Sequence, residues 1–250
     1  MIRVSNIKAG LDVSAGELRR TVERLTGWRD IVSFRIARRS IDARSKRNIH
    51  FLYAFDVRVA GDEAEAVAVS LYKDVSLEPA EKYVPPVWRR AGLRPVVVGT
   101  GPAGLMAALA LAEAGARPII LERGRPVPER QADVRLFWET GRLNTDSNVQ
   151  FGEGGAGTFS DGKLNTGIKK DAFTRKVLDA FVAAGAPDEI MYLAKPHVGT
   201  DRLAEVVQNL RKKIIALGGE YRFETRLSDL LVRNGALAAV RTETPDGRVE

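Results

Sequence analysis

The string Gly99-Thr100-Gly101-Pro102-Ala103-Gly104 has the residue types and spacing to hold a pyrophosphate. Gly99 permits a tight turn out of a strand. Gly101 lets the backbone approach a phosphate closely, and Gly104 lets the following helix pack against the sheet. Unpaired N–H groups at a helix start, aided by the helix dipole, would face the anion. Pro102 and Ala103 fall in that first turn. Such a motif is weak alone and gains weight from its context. Here an apolar strand is predicted over 95–99, an apolar helix over 105–113 closed by Gly115, and a second strand over 118–122 that ends in Glu122. A carboxylate at that strand end is placed to accept hydrogen bonds from an adenosine ribose and disfavours a 2′-phosphate.

A second glycine-rich stretch runs from Ser147 to Leu164 as SNVQFGEGGAGTFSDGKL. Dense glycine frees the backbone to present several N–H groups in one concavity, which suits an anion or an aromatic ring edge. His197 precedes a predicted helix and is a candidate acid–base group. Ser160, Asp161 and His197 invite a hydrolase reading, but Thr158 stands where the nucleophile elbow needs its first glycine. Two histidines and no cysteine argue against a structural zinc site, so no metal is expected. Arg35, Arg38, Arg39, Arg44, Lys46 and Arg47 form a basic cluster around one Asp42. A nucleic-acid surface would interleave stacking aromatics with such bases. The alternation of Phe51, Tyr53, Phe55 and Val57 points those rings toward a core instead.

The elements that must position these residues fall into two regions. Residues 1–85 read as a small, basic α+β module. It has a strand over 2–7, then a helix from Ser14 to about Thr26 with a capping box at Ser14 and Glu17 and a stop at Gly27. Strands over 30–38 and 49–59 follow, then a helix or loop over 62–76. Val84-Pro85-Pro86-Val87-Trp88 reads as a linker, because proline removes a donor and restricts its neighbour. Residues 94–250 read as a Rossmann-type α/β domain. Residues 125–197 form an insertion of loops with one helix near 172–184, contributing to a substrate region. A helix capped by Thr200 or Asp201 then runs to about Leu217 and stops at Gly218-Gly219. A strand over 221–223 follows, and then meander strands over 227–232, 237–244 and from Val249 onward. Their turns are Asn234-Gly235 and Asp246-Gly247.

Composition sets the outer bounds. The 250 residues are 44% hydrophobic and 28% charged, in the range of an ordinary globular protein. No apolar run approaches the roughly 18 residues of a membrane span, and the N-terminus lacks a signal peptide's apolar stretch. Without cysteine, disulfides and thiolate redox centres are excluded. A cytoplasmic location is expected. The net charge of +7 is uneven: residues 1–90 hold 17 Lys+Arg against 12 Asp+Glu, and the rest hold 22 against 20. A basic face of that kind attracts nucleic acid, phosphorylated ligands or an acidic partner.

About a hundred residues separate the predicted strand over 118–122 from that over 221–223, and a meander follows. That arrangement resembles flavoproteins of the glutathione-reductase-like Rossmann type. More specifically, VVVGTGPAGLMAALALAEAGARPIILERG together with SNVQFGEGGAGTFSDGKL and KPHVGTDRL resembles a bacterial family of uncharacterised FAD-dependent, NAD-utilising dehydrogenases. The resemblance covers essentially the whole chain. It implies an α/β FAD/NAD(P)-binding Rossmann-type domain and an FAD-dependent oxidoreductase acting on a small organic molecule, with NAD(P)H as a candidate electron donor. It implies that Gly99, Gly101, Gly104, Glu122 and Arg123 hold the ADP half of FAD, with Pro102 and Ala103 in the same turn. Gly154, Gly155, Gly157 and Thr158 would approach the pyrophosphate or flavin, and Lys163 could stabilise reduced, anionic flavin. The catalytic residue is not assigned beyond the candidates His197 and Lys163. The later strand and Gly-Asp segment of such flavoproteins are not in this sequence, so the chain reads as the N-terminal part of a longer protein. An NAD-binding dehydrogenase and a nucleic-acid-binding protein working through the basic hairpin are the alternatives.

Overall fold

The computed structural model describes residues 1–78, 83–89, 92, 94–164 and 172–249. The end of the strand expected from Val249 onward, and residues 165–171 of the expected insertion, lie outside the described residues. The chain divides into two compact units.

The first unit holds residues 1–78, 172–175 and 188–196. Its elements are β1 (Ile2–Ala9), α1 (Ala15–Thr26), β2 (Ile31–Asp42), β3 (His50–Val59), α2 (Glu63–Ala68) and β4 (Val75–Leu77). The strands lie in the order β2-β3-β1-β4, and every neighbouring pair is antiparallel. This is the ferredoxin-like split βαβ arrangement. The stretch expected as helix or loop over 62–76 supplies both α2 and the edge strand β4, which completes the motif. β2 also runs four residues past the expected Arg38, because its polar end pairs with β3 out to Asp42↔His50. Helix α1 starts where Ser14 and Glu17 close a capping box and stops at Gly27, whose φ of 80° is left-handed. Its buried Leu18 and Val22 meet Ile2, Val4, Ile7, Phe55 and Val57 in one core. Phe34, Tyr53 and Phe55 stack within it, with centroids 4.5 Å and 5.5 Å apart. Residues 192–194 bond to Arg39 through Tyr192 and Ala194, covering part of the outer edge of β2.

The second unit holds residues 83–89, 92, 94–164, 176–187 and 197–249. It contains β5 (Val96–Val98), α3 (Pro102–Glu113), β6 (Ile119–Leu121), α4 (Val127–Thr140), the later part of α5 (Ala172–Ala183), α6 (Thr200–Ala216), β7 (Glu220–Arg222), β8 (Arg226–Arg233) and β9 (Ala236–Glu243). Strands β5, β6 and β7 form a parallel sheet in that spatial order, with Val97, Ile120 and Tyr221 in register. Helices α3 and α6 pack against each other. They bury Leu105, Ala108, Leu109 and Ala112 with Val206, Val207, Leu210 and Ile214. Strand–helix–strand units in a parallel sheet make this an α/β Rossmann-type fold. β8 and β9 form a separate hairpin, turned at Asn234-Gly235 with φ of 52° and 75°. Positive φ at both positions is what a two-residue type I′ turn requires. Among the described residues no helix is long and apolar enough to cross a membrane.

Three sequence expectations need correction in this unit. Strand β5, whose wholly apolar run reads as buried on both faces, buries only one: Val97 is buried, while Val96 and Val98 on the other face are 37% and 54% exposed. The 125–197 stretch holds, besides the helix expected near 172–184, a second one, the fourteen-residue α4. Helix α6 is capped by Gly199 rather than by the side chain of Thr200 or Asp201, and the Thr200 hydroxyl donates to the Ser160 carbonyl at 2.8 Å.

Candidate functional site

A cavity of about 360 Å³ opens at the carboxyl ends of the parallel strands. In open α/β sheets that edge is where ligands bind. Its walls come from the end of β5 and the turn to α3 (Gly99, Thr100, Gly101), the end of β6 (Glu122, Arg123), and the glycine-rich loop (Gln150 to Gly152, and Gly155). Thr225, Arg226 and Leu227 after β7 complete it.

The first turn is shaped by its glycines. A Cβ on Gly104 would lie 2.0 Å from the carbonyl oxygen of Gly99, so the close approach of helix to strand requires glycine there. At Gly99 and Gly101 a Cβ would meet no protein atom within 4 Å. Both line the cavity, so a side chain at either would project into open space beside the helix start. Pro102 opens α3 at a position where a missing N–H costs nothing.

Glu122 is 4% exposed and fully occupied. Its Oε2 accepts the Thr100 amide at 2.8 Å and the Thr100 hydroxyl at 2.6 Å. Its Oε1 accepts the amides of Gly124 at 2.9 Å and Gly152 at 3.0 Å. Arg123 lies over the Phe151 ring, 4.3 Å from its centroid.

The second loop is organised around a buried cation. Arg130 of α4 is 1% exposed. Its guanidinium donates to the carbonyls of Asn148, Val149, Glu153 and Gly155 at 2.7 to 2.9 Å, and to the Thr158 hydroxyl at 2.7 Å. Burial lowers its pKa to about 10, so the group stays charged near neutrality. Gly152 is fitted to its stem: its φ is 121°, and a Cβ would lie 2.4 Å from Arg130 Cδ. The loop meets the first turn directly, because the Gly154 amide donates to the Thr100 carbonyl at 3.0 Å. Glu153 is fully buried, accepts the Val127 amide, and faces Arg211 at 3.0 Å. Burial raises its carboxyl pKa.

Of the residues expected at the cofactor, Gly99, Gly101, Glu122, Arg123 and Gly155 line the cavity. Pro102, Ala103 and Gly104 sit in the adjoining helix turn, outside its lining. Gly154, Gly157 and Thr158 belong to the loop but do not line it, and Thr158 is turned inward to Arg130. Lys163 and His197 are exposed backbone partners in a β-bridge and line no part of the cavity. Lys163 pairs with Asp161 at 2.7 Å, which raises its pKa. Ser160 donates to the Gly157 carbonyl, so the Ser-Asp-His reading has no nucleophile bonded to a base. Sequence reasoning missed Thr100, Phe151, Gly152 and the 225–227 segment. The last was within reach, since it follows the third parallel strand of the sheet.

Comparison with known proteins gives two family matches. Residues 94–132 match the family described as FAD binding domain, and residues 1–58 match a domain of unknown function, DUF8436. A curated relative from Clostridium beijerinckii, described only as an uncharacterized protein, is 43% identical over 244 residues. The match covers 96% of this chain and 45% of that relative, so the chain spans about half the relative's length. Among solved structures, THI4 of Thermovibrio ammonificans aligns with a TM-score of 0.39 at 17% identity, over 61% of this chain and 47% of that one. A 3-ketosteroid-delta4-(5alpha)-dehydrogenase from Rhodococcus jostii RHA1, solved with 4-androstene-3,17-dione, aligns with a TM-score of 0.36 at 15% identity, over 66% and 46%.

Proposed function

We propose that this chain is the FAD-binding portion of a flavoprotein oxidoreductase acting on a small organic molecule. The observation that carries the reading is the cavity at the carboxyl ends of β5, β6 and β7, set within and beside the 94–132 segment that matches the FAD binding domain. Its residues fit the group. Gly99 and Gly101 leave open space where any side chain would intrude, and Gly101, the N-cap of α3, lines that space. In this reading the α3 start meets the pyrophosphate. Arg123 packs on Phe151 of the Arg130-held loop, and the two form a wall for the adenosine end. Bound FAD supplies two-electron transfer, and the protein contributes binding, orientation and exclusion of water. Pro102, Ala103 and Gly104 shape the turn, while Gly154, Gly157 and Thr158 shape the loop, so their part is support rather than contact.

The nucleic-acid alternative is weakened by the first unit. Of the aromatic rings near the basic cluster, Tyr53 and Phe55 are 5% and 0% exposed, and Phe34 and Phe51 are half-buried against the same core. Several of the bases are paired: Arg35 with Asp56, Arg39 with Glu189 and Arg44 with Asp42.

Titrating FAD into the purified chain and following quenching of flavin fluorescence tests the proposal. Saturable one-to-one binding, competed by ADP, is expected. Saturation by NADH with no response to FAD would favour the NAD-binding reading, and no response to either would sink both.

A further inference from the structure

The acid that ends the second strand of a dinucleotide-binding sheet is the group expected to take the ribose hydroxyls. In this chain it has no acceptor to offer. An ionised carboxylate presents about four lone-pair sites. Glu122 fills four, with the Thr100 amide and hydroxyl on one oxygen and the amides of Gly124 and Gly152 on the other. These donors come from the phosphate turn, the residues after β6 and the second glycine-rich loop. One buried carboxylate therefore ties together three backbone segments of the cavity wall. The Gly154-to-Thr100 bond runs parallel to this tie. The polar side chains that line the cavity and make no hydrogen bond among the described residues are Arg123 and Gln150. Thr225 donates to Phe223 and Arg226 to Glu243.

We propose that Glu122 is a positioning residue that locks the two glycine-rich loops into one preformed pocket, and that the sugar hydroxyls are met by Arg123 and Gln150. This rests on the reading that the cavity takes the ADP half of FAD. It reassigns the strand-end acid from ligand to brace. The consequence is distinctive: loosening one loop must loosen the other, whether or not a nucleotide is bound.

Two measurements on the full chain decide it. The first is a double cycle by calorimetry, with wild type and Glu122→Gln each binding ADP and 2′,3′-dideoxy-ADP. A brace predicts that Glu122→Gln weakens both nucleotides by the same factor, about tenfold, with the coupling between residue and hydroxyls within about twofold. If removing the hydroxyls weakens wild type about tenfold and the variant not at all, Glu122 is the sugar ligand and the proposal falls. The second is amide exchange without nucleotide. Peptides covering 97–104 and 148–155 should both exchange at least about tenfold faster in Glu122→Gln, and unchanged exchange in either overturns the brace. Thr100→Val deletes one of the four bonds and is the variant to use if Glu122→Gln does not fold. It should speed exchange at 148–155, in the loop it does not belong to, by more than its effect on global stability accounts for, and weaken both nucleotides equally. Unaltered exchange at 148–155 in that variant also overturns the proposal. If wild type binds no adenine nucleotide, the cofactor reading fails, and the exchange experiment still decides the brace.

Discussion

At the scale of single residues, two glycines of one motif make opposite demands. Gly104 is fixed by protein: a Cβ there would overlap the Gly99 carbonyl. Gly101 is fixed by nothing in the protein, since a Cβ would enter open space at the cavity wall. Gly104→Ala should therefore destabilise the second unit by about 2 kcal/mol or more, as small-to-large changes at packed positions do. Gly101→Val should cost no more than the roughly 1 kcal/mol of a poorer N-cap residue and abolish FAD binding. Thermal melts alongside flavin titration of the two variants check this, and loss of stability in Gly101→Val with FAD binding retained would refute the assignment. The glycines and Glu122 were legible in the sequence because their spacing is dictated by a backbone turn. Arg130 was not. Nothing in the residue type says that a guanidinium will be 1% exposed, and only the carbonyls it gathers explain the burial.

At the scale of elements, local chemistry decided which helices could be read. Helix α1 carries its start and stop in the sequence. Ser14 accepts the Glu17 amide at 3.3 Å, and Glu17 accepts the Ser14 amide at 2.9 Å. Replacing Ser14 by Ala should cost about 1 kcal/mol, measured as a shift of the first unit's denaturant midpoint. An unchanged midpoint would mean that packing of Leu18 and Val22 alone sets the helix start. Helix α4 was missed because its buried stripe is Val127, Arg130 and Val134. The spacing is helical, but the middle member is a charge, and Pro126 and Pro128 beside its first residue read as breakers. At the first turn proline is compatible with a helix. Strand β4 was missed because three residues, two of them exposed, carry too little alternation to declare a strand. Its identity comes from pairing with β1, a contact across some seventy residues of chain.

At the scale of the whole molecule, stability against pH should carry the mark of one buried acid. The sequence reveals the charge asymmetry but not which carboxylate is desolvated. Glu153 is fully buried, and its pKa is raised above the ordinary 4.5 chiefly by that burial. Between 4.5 and the raised value the folded chain then holds a proton that the unfolded chain has released. The stability contributed by that proton is full below 4.5, declines as pH rises through the folded pKa, and is lost above it. Each pH unit across that window changes stability by at most about 1.4 kcal/mol. Glu153→Gln keeps an oxygen for the Val127 amide, bonded at 2.8 Å in the wild type, and removes the titration. Stability relative to wild type should therefore rise with pH from about 4.5. Denaturant titrations at a series of pH values can read the second unit through Trp88 and Trp138 in a Trp28→Phe background, since Trp28 belongs to the first unit. Parallel pH profiles for the two proteins would show that Glu153 ionises alike in folded and unfolded chains, with Arg211 at 3.0 Å offsetting its burial.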